Sequence, residues 1–504
     1  MPKTYEEINQ RIREGKAVVV TAEEVIPLVQ EKGPRRVAEE VDVVTTATFA
    51  PMCSSGAFLN FGHSDPPIRM QSVRLNGVPA HAGVAAVDAY LGATECSQDR
   101  GPAYGGAHVI EDLISGREVL LEAESPGTDC YPRRSVRTTV KLDHLNQAYL
   151  YNPRNCYQNY AAATNGSDHM IYTYMGKLLP RCANVTYCSA GQLSPLLNDP
   201  DLRTVGIGTR VFLGGGTGFV AGEGTQNLST RRRRNGVPVG PGATLALTGD
   251  LRSMHPRYLR AAVFPHYGVT VFVGVGIAIP ILDEDMAARV GIRDQDIYTV
   301  VLDYGYPHRD RPALAEVNYA QLRSGSIELN GRRVPTAPLS SLARAREIAA
   351  VLKEWVSRGR FLLTQPVAPL PLRTAVNTLS EDTLSEDTGS PVGHDGRPAP
   401  ALDAPVVSHH QVAPTMDAAA RPTLDASRCV ACGACTAVCL AGALRIGPPT
   451  WELAFEPERC TACGLCLDAC PVGAISVAGI RTGGGNGHHE PAVSACVRGG
   501  LTCR

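Results

Sequence analysis

Long apolar runs are scarce in this chain. The longest, Val269 to Leu282, is interrupted by Gly274, Gly276 and Pro280 and is too short to cross a bilayer as a helix. Alternation along it places Val269, Val271, Val273 and Val275 on one face, which predicts a buried strand. Charge of one sign is missing as well. Lys+Arg (48) nearly balance Asp+Glu (49), leaving a net charge of -1, so there is no electrostatic case for nucleic acid. The N-terminus, M-P-K-T-Y-E-E-I-N-Q, is too polar for a secretory signal. No nicotinamide fingerprint is visible: the cluster Gly214-Gly215-Gly216-Thr217-Gly218 lacks the G-x-G-x-x-G spacing and reads as a plain turn. What the chain does have is 504 residues, 44% of them hydrophobic, with 50 glycines and 37 prolines. That length and composition predict roughly two to four domains, with a real core and many turns.

Cysteine is abundant. Sixteen cysteines without an export signal point to a reducing compartment, the cytoplasm of an organism that avoids oxygen. Eight of them form two sets between Cys429 and Cys470, each spaced C-x2-C-x2-C-x3-C. In the bacterial two-cluster ferredoxin run, the fourth cysteine of each set ligates the other cluster. The expected ligands are therefore Cys429, Cys432, Cys435 and Cys470 for one [4Fe-4S] cluster, and Cys460, Cys463, Cys466 and Cys439 for the second. The sets form an internal repeat, with Gly433 matching Gly464 and Ala443-Leu444 matching Ala474-Ile475. Pro471 follows the second set, whereas Leu440 stands at the equivalent place in the first, which predicts a local change of turn. Zinc or disulfides are the alternatives, although zinc has no need of this order of spacings.

Read in order, the chain opens with a capping box, Thr4 with Glu7, starting a helix that stops at Gly15. Val18 to Val20 reads as a strand, Thr21 with Glu24 caps a second helix ending near Gly33, and Val41 to Thr46 reads as another strand. Alternation of this kind predicts an α/β arrangement, continuing as α/β or α+β from about residue 73 to 335. Ala50 to Met70 is expected to leave the strand end as a loop, the edge of an α/β sheet where chemistry usually sits. Arg231 to Arg234 reads as a solvated basic loop. Leu342, Ala345, Ile348, Ala349, Leu352 and Trp355 form a helical stripe closing at Gly359, the terminal helix of the first domain. The expected organisation is a large domain over 1–365, a disordered tether over 366–423, a small α+β ferredoxin-type domain over 424–480 and a flexible tail over 481–504. The tether includes the tandem L-S-E-D-T-L-S-E-D-T and His409-His410, and its length implies a mean span of about 40 Å. Cys496 and Cys503 in the tail lack cluster spacing; free thiols are the default reading and a sulfur-relay pair the alternative.

Six cysteines remain in the large domain: Cys53, Cys96, Cys130, Cys156, Cys182 and Cys188. Buried cysteines usually act as small hydrophobes. Cys53 is set apart by Ser54, Ser55 and Gly56, whose amides suggest an anion-binding nest, and by His63, Asp65 and Arg69 just beyond. Cys130 lies in G-T-D-C-Y-P-R-R, where Arg133 and Arg134 favour a thiolate and Asp129 opposes it. The segments M-C-S-S-G-A-F-L-N-F-G-H-S-D-P-P-I-R-M, G-T-D-C-Y-P-R, N-P-R-N-C-Y-Q-N-Y, I-Y-T-Y-M-G, L-S-P-L-L-N-D-P, V-G-I-G-T-R-V-F-L-G-G-G and R-D-R-P resemble the homocysteine biosynthesis sulfur-incorporation family. The resemblance runs from the N-terminus to about residue 365.

That resemblance implies formation of L-homocysteine from L-aspartate semialdehyde and sulfide or a persulfide donor. The family's two functional cysteines match Cys53 and Cys130, one of which carries sulfur as a persulfide. In relatives the ferredoxin partner commonly sits on a separate protein with a small ligand-binding domain, so a partner protein of that kind is a further expectation. The electron demand fits a fused two-cluster module fed by a low-potential donor. A thioaldehyde needs two electrons and two protons to become a thiol, and cleaving a persulfide needs two more electrons. The substrate's α-carboxylate asks for an arginine fork, for which Arg69, Arg133, Arg154, Arg309 and Arg311 are candidates. Its α-ammonium asks for a carboxylate, Asp65 or Asp303, and His63 and His108 are candidate proton carriers. Persulfide trafficking, or electron transfer with the large domain as a docking scaffold, are the competing readings.

Overall fold

The fold is described from a computed structural model covering residues 2–226, 231–308, 310–371, 375 and 421–477. Arg309, most of the expected tether with its tandem repeat and His409-His410, and the tail with Cys496 and Cys503 lie outside the described residues.

The N-terminal capping signals act as read. Thr4 and Glu7 close a full capping box on the helix Tyr5–Arg13, and Thr21 and Glu24 do the same for Ala22–Glu40. The second helix is kinked at Gly33, whose φ of 77° interrupts it; a further short helical stretch follows from Pro34, where a proline is tolerated. Between the helices, Val19–Thr21 pairs in parallel with Val43–Pro51. That strand then pairs antiparallel along its whole length with Gly268–Pro280, the long apolar run of the sequence. Both faces of Gly268–Pro280 are buried. One is covered by the helix Leu342–Ser357, whose buried stripe is Leu342, Ala345, Ile348, Ala349, Leu352 and Val356. Gly274 and Gly276 make that approach possible: a Cβ on Gly274 would stand 2.7 Å from Ile348 Cδ1. Phe49 and Phe272 stack at 5.5 Å between centroids across the same strand pair.

These strands belong to a 14-stranded sheet, largely antiparallel, and a second, mixed sheet of six strands completes the large α/β domain. One expectation needs correcting. The segment after Val43–Pro51 is not a continuous loop, because Gly56–Asn60 is a strand in the middle of the large sheet, between Gln147–Asn155 and Asp88–Gly92. The glycine cluster is the plain turn it was read to be, linking Arg210–Leu213 to Gly216–Glu223. The basic run is ion-paired within the domain: Arg232 and Arg234 meet Glu316, and Arg233 meets Asp201.

Residues 366–371 stay on the large domain through Val367 N–H to Ile207 O and Ile207 N–H to Ala368 O, both 2.9 Å. The C-terminal module begins with Pro422–Leu424, paired antiparallel with Ile475–Val477, and contains a second small ribbon, Leu444–Ile446 with Leu453–Phe455. Its internal repeat is visible in the backbone. Ala431 and Ala462 both have positive φ, 52° and 54°, and so do the following Gly433 and Gly464.

The module packs against the large domain. Val430, Cys432, Trp451 and Val472 join the main apolar core, and Val438 and Leu465 pack on Leu179. Asn184 donates to Lys177 O and to Ala437 O while accepting the Leu179 amide, so one buried amide ties both parts together. Lys177 Nζ, almost fully enclosed, is held by both Asp468 carboxylate oxygens at 2.8 and 2.9 Å. Val263 N–H donates to Pro471 O at 2.7 Å. Gly433 lies so close to Pro338 that a Cβ would fall 2.6 Å from its carbonyl oxygen.

Candidate functional site

Cys53 sits in the short turn between Val43–Pro51 and Gly56–Asn60. The turn is held by its own polar atoms. Met52 N–H donates to Val271 O, Ser55 Oγ donates to Met52 O, and Asn152 Nδ2 donates to Ser55 Oγ. The expected nest does not form: the Ser55 amide is bonded to Cys53 O at 2.9 Å, Gly56 is a strand residue, and none of residues 53–56 has positive φ. The sulfur is served by hydroxyls instead. Thr270 Oγ1 donates to Cys53 Sγ at 3.2 Å and Tyr267 Oη at 3.6 Å, both from the hairpin that starts Gly268–Pro280.

Arg154 ends the strand beside Gly56 and places Nε and Nη2 on Ser54 Oγ, at 3.2 and 2.8 Å. An aromatic group extends from there. Tyr174 meets Tyr267 edge-on at 6.0 Å and Tyr304 at 5.8 Å, with the Tyr174 and Tyr304 hydroxyls 3.0 Å apart. Arg311 lies over the Tyr304 ring at 4.0 Å, and its Nε is buried with no hydrogen-bond partner. Burial pushes the Tyr157 hydroxyl up to about 12, with opposing influences from Arg154 and the Cys53 sulfur. Burial and the Cys53 sulfur likewise raise Tyr267. These phenols are neutral donors at any working pH. The Cys188 thiol belongs to the same neighbourhood: burial, then the charge of the Cys53 sulfur, push it up to about 12.

Cys130 is placed differently. It is exposed, at the tip of a tight turn closed by reciprocal Thr128 and Tyr131 backbone bonds of 2.9 and 3.0 Å. The hairpin carrying it, Val119–Glu124 with Ser135–Val140, rests on the loop after Gly56–Asn60. Arg133 Nη1 donates to Asp65 O, and the Tyr131 ring stacks on His63 at 5.8 Å. Cys130, His63, Asp65 and Arg133 are thus brought together, with exposed Arg69 on the same loop. Cys53 precedes Gly56–Asn60 and this loop follows it, so the two cysteines lie at opposite ends of that strand.

Two expected substrate groups are held by the fold. Asp303 accepts the Gly166 and Gly305 amides at 2.7 and 2.8 Å, an internal bracket rather than an ammonium site. His108 accepts the Gly105 amide at 3.1 Å and stacks on Tyr104, and burial lowers it to about 4, so it is a neutral helix cap. Thr270, Tyr267 and Tyr304 were not singled out in the sequence, and Cys188 was named there only as one of the six large-domain cysteines. Tyr157 and Tyr174 stood inside two of the quoted segments but were not singled out.

The cysteine sets converge in the crossed pattern. Cys429, Cys432, Cys435 and Cys470 line one cavity; Cys439, Cys460, Cys463 and Cys466 line another. The chemistry of the donors suits iron–sulfur clusters. Backbone amides of Ala431, Leu444 and Ala474 point at the sulfurs of Cys429, Cys439 and Cys470 at 3.2–3.4 Å. Burial raises the Cys432, Cys435 and Cys466 thiols, so their thiolates need the positive charge of bound iron.

Fold and site together define a class: an α/β domain bearing a thiol centre, joined in one chain to a dicluster iron–sulfur module. The chain belongs to the family described as homocysteine biosynthesis enzyme, sulfur-incorporation, which matches residues 17–363. Residues 415–474 match the 4Fe-4S dicluster domain. An L-aspartate semialdehyde sulfurtransferase of Methanocaldococcus jannaschii is 52% identical over 405 residues, covering 76% of this chain and 77% of its own. A protein of the same name from Methanosarcina acetivorans is 52% identical over 379 residues, 75% and 74% of the two chains. An uncharacterized protein of Methanothermobacter thermautotrophicus is 32% identical over 335 residues, 64% and 72% of the two chains. No solved structure matches the chain.

Proposed function

We propose that this enzyme makes L-homocysteine from L-aspartate semialdehyde by reductive sulfur incorporation, with Cys53 at the reacting centre. The observation that carries the reading is the setting of the Cys53 sulfur, which has two hydroxyl donors, with Arg154 alongside and Arg311 at the far end of an aromatic group. Either guanidinium suits the substrate's α-carboxylate, and the buried, unpaired Arg311 Nε leaves a donor for it. The Tyr174 ring suits the α-ammonium, and Asp65 remains the carboxylate candidate. Neutral tyrosine hydroxyls donate to the carbonyl oxygen and supply a proton as water leaves.

Cys130, exposed with His63, Asp65, Arg69 and Arg133 around it, takes sulfane sulfur from an outside donor as a persulfide, and a swing of its exposed hairpin would carry that sulfur to Cys53. Four electrons are then needed, two to free the sulfur and two to reduce the thioaldehyde. Two [4Fe-4S] clusters, held by Cys429, Cys432, Cys435 and Cys470 and by Cys439, Cys460, Cys463 and Cys466, would supply one-electron reduction at low potential, charged by an external donor. Sixteen cysteines, half of them in cluster spacing, suit a reducing cytoplasm. Among the described residues no helix is long and apolar enough to cross a membrane.

The exposure of Cys130 also suits a second reading, persulfide trafficking to an acceptor protein. A strictly anaerobic assay separates the two: purified protein, aspartate semialdehyde, sulfide or a persulfide donor, and a low-potential reductant, with homocysteine read by mass spectrometry. Homocysteine that vanishes in Cys53→Ala, Cys130→Ala and Cys432→Ala is the expected result. A persulfide on Cys130 with no amino-acid product would favour trafficking.

A further inference from the structure

We propose that the two cysteine seats of the module have unequal roles. The seat of Cys429, Cys432, Cys435 and Cys470 faces Cys53, and the seat of Cys439, Cys460, Cys463 and Cys466 faces the outside electron donor. The proposal rests on the sulfur chemistry assigned to Cys53 above. The large domain treats equivalent positions of the internal repeat differently. Val430, Gly433 and Cys435 are buried, whereas their counterparts Thr461, Gly464 and Cys466 are not. Pro471, which follows Cys470, is buried; Leu440, which follows Cys439, is 46% exposed. Val430, Cys432, Ala434 and Val472 lie in the main apolar core, with Cys429 and Cys470 packed against it. On the other seat Leu465 reaches Leu179, but the cysteine-bearing loop 460–464 contains no buried residue. Exposed Leu440 and Thr461 stand in the wall of its cavity.

A continuous set of contacts leads from the buried seat to Cys53. Pro471, the residue after the ligand Cys470, accepts the Val263 amide at 2.7 Å. Val263 lies in the strand Leu259–Phe264, which pairs antiparallel with Gly268–Pro280. Its neighbour Ala262 stands opposite Thr270 in that register, one strand spacing of about 4.8 Å away. Thr270 Oγ1 is 3.2 Å from Cys53 Sγ, and the turn of the same hairpin carries Tyr267, the second donor to that sulfur. One peptide hydrogen bond, one strand pairing and one hydroxyl–sulfur contact therefore join the segment after Cys470 to the reacting thiol. Val263 is a positioning residue in this scheme, since its amide fixes that end of the module on the hairpin. The chemistry at Cys53 balances with two electrons, arriving singly, and one proton. They cleave the Cys53 persulfide anion into the Cys53 thiolate and a hydrosulfide ion. The S–S bond breaks, the persulfide is reduced, and two equivalents of a low-potential one-electron carrier outside the chain are oxidised.

The test uses the full iron–sulfur protein, prepared anaerobically. Ferricyanide is added in small portions beside an alkylating agent, and the labelled cysteines are mapped by peptide mass spectrometry. Cys460 and Cys463 are expected to be labelled before Cys432 and Cys435; simultaneous or reversed labelling would overturn the assignment. A second measurement empties one seat at a time. Cys463→Ala keeps the buried seat and Cys432→Ala the exposed one. Each is reduced with titanium(III) citrate, freed of excess reductant and mixed with inorganic polysulfide. The electron paramagnetic resonance signal of the reduced protein should vanish in Cys463→Ala and persist over the same interval in Cys432→Ala. Adding Cys53→Ala to Cys463→Ala should preserve it. Equal loss from both seats, or loss that does not depend on Cys53, sinks the proposal. If either variant fails to fold, the labelling order in the parent enzyme decides alone. Homocysteine, assayed in parallel with the parent enzyme, separates the two levels. The expected labelling and signal loss without homocysteine would refute the overall reaction and leave the two seats standing, and homocysteine with reversed labelling would do the opposite.

Discussion

Thr270 lies 217 positions after Cys53 in the chain, yet its hydroxyl makes the shorter of the two bonds to the sulfur. A single O–H donor contributes about 0.5–1.5 kcal/mol net. Thr270→Val, which keeps the shape, is therefore expected to lower kcat/KM roughly 2- to 10-fold, checked by steady-state assay with thermal stability as the control for folding. His108 makes a different prediction. Burial lowers it from 6.5 to about 4, so the unfolded chain binds a proton that the folded one refuses. Stability is untouched by this group above pH 6.5 and drains away as the pH falls from 6.5 to 4, by roughly 3 kcal/mol in total. His108→Gln, which keeps an acceptor for the Gly105 amide, should flatten that part of a Tm-against-pH curve. The contrast shows which residues were legible. Cys53, Arg154 and Cys130 stand in distinctive strings that name themselves. Thr270 and Tyr267 sit in ordinary apolar or polar surroundings and acquire meaning only through pairing of distant strands. His108 and Asp303 looked chemical because histidine and aspartate are also what the backbone uses to satisfy stray amides.

Among elements, local signals carried far and pairing signals did not. The two capping boxes, the helix Leu342–Ser357 and the strand Gly268–Pro280 were all readable from residues within a few turns of one another. The strand Gly56–Asn60 was not, since its glycine and the polar residues flanking it read as loop, and only its two neighbours in the sheet make it a strand. Strand order was beyond the sequence for the same reason. In the sequence the glycines of Gly268–Pro280 read only as interruptions of an apolar run. Their place under Ile348 and Leu352 gives them a positive role, a floor low enough for a helix to lie on the sheet. Gly274→Ala should therefore overpack this contact at a cost of about 1–3 kcal/mol, measured by chemical denaturation, with Ile348→Val in the same background recovering part of it.

At the scale of the molecule, the crossed sharing of cysteines between the two sets was legible because spacing alone encodes it. The seat of the module on the large domain was not, because Lys177, Asn184 and Asp468 are unremarkable as letters. Removing the Asp468 carboxylate leaves the Lys177 ammonium enclosed and unpaired. The loss of such a partner costs about 3 kcal/mol, the low end of the range for buried pairs, since Asp468 keeps some contact with water. Asp468→Ala is expected to raise amide hydrogen exchange across residues 421–477 while leaving the sheet strand Gly268–Pro280 protected, and Asp468→Asn should fall between.

The covalent join between the parts has a kinetic meaning. Two separate proteins meeting through the same contacts would be held together only as far as their concentration allowed. In one chain the same contact is unimolecular, with an effective local concentration in the millimolar range that no dilution can change. Turnover per mole of enzyme should accordingly stay constant as the protein is diluted from micromolar to nanomolar, given a saturating small-molecule reductant. Severing the chain between residues 375 and 421 should make the same reaction second order.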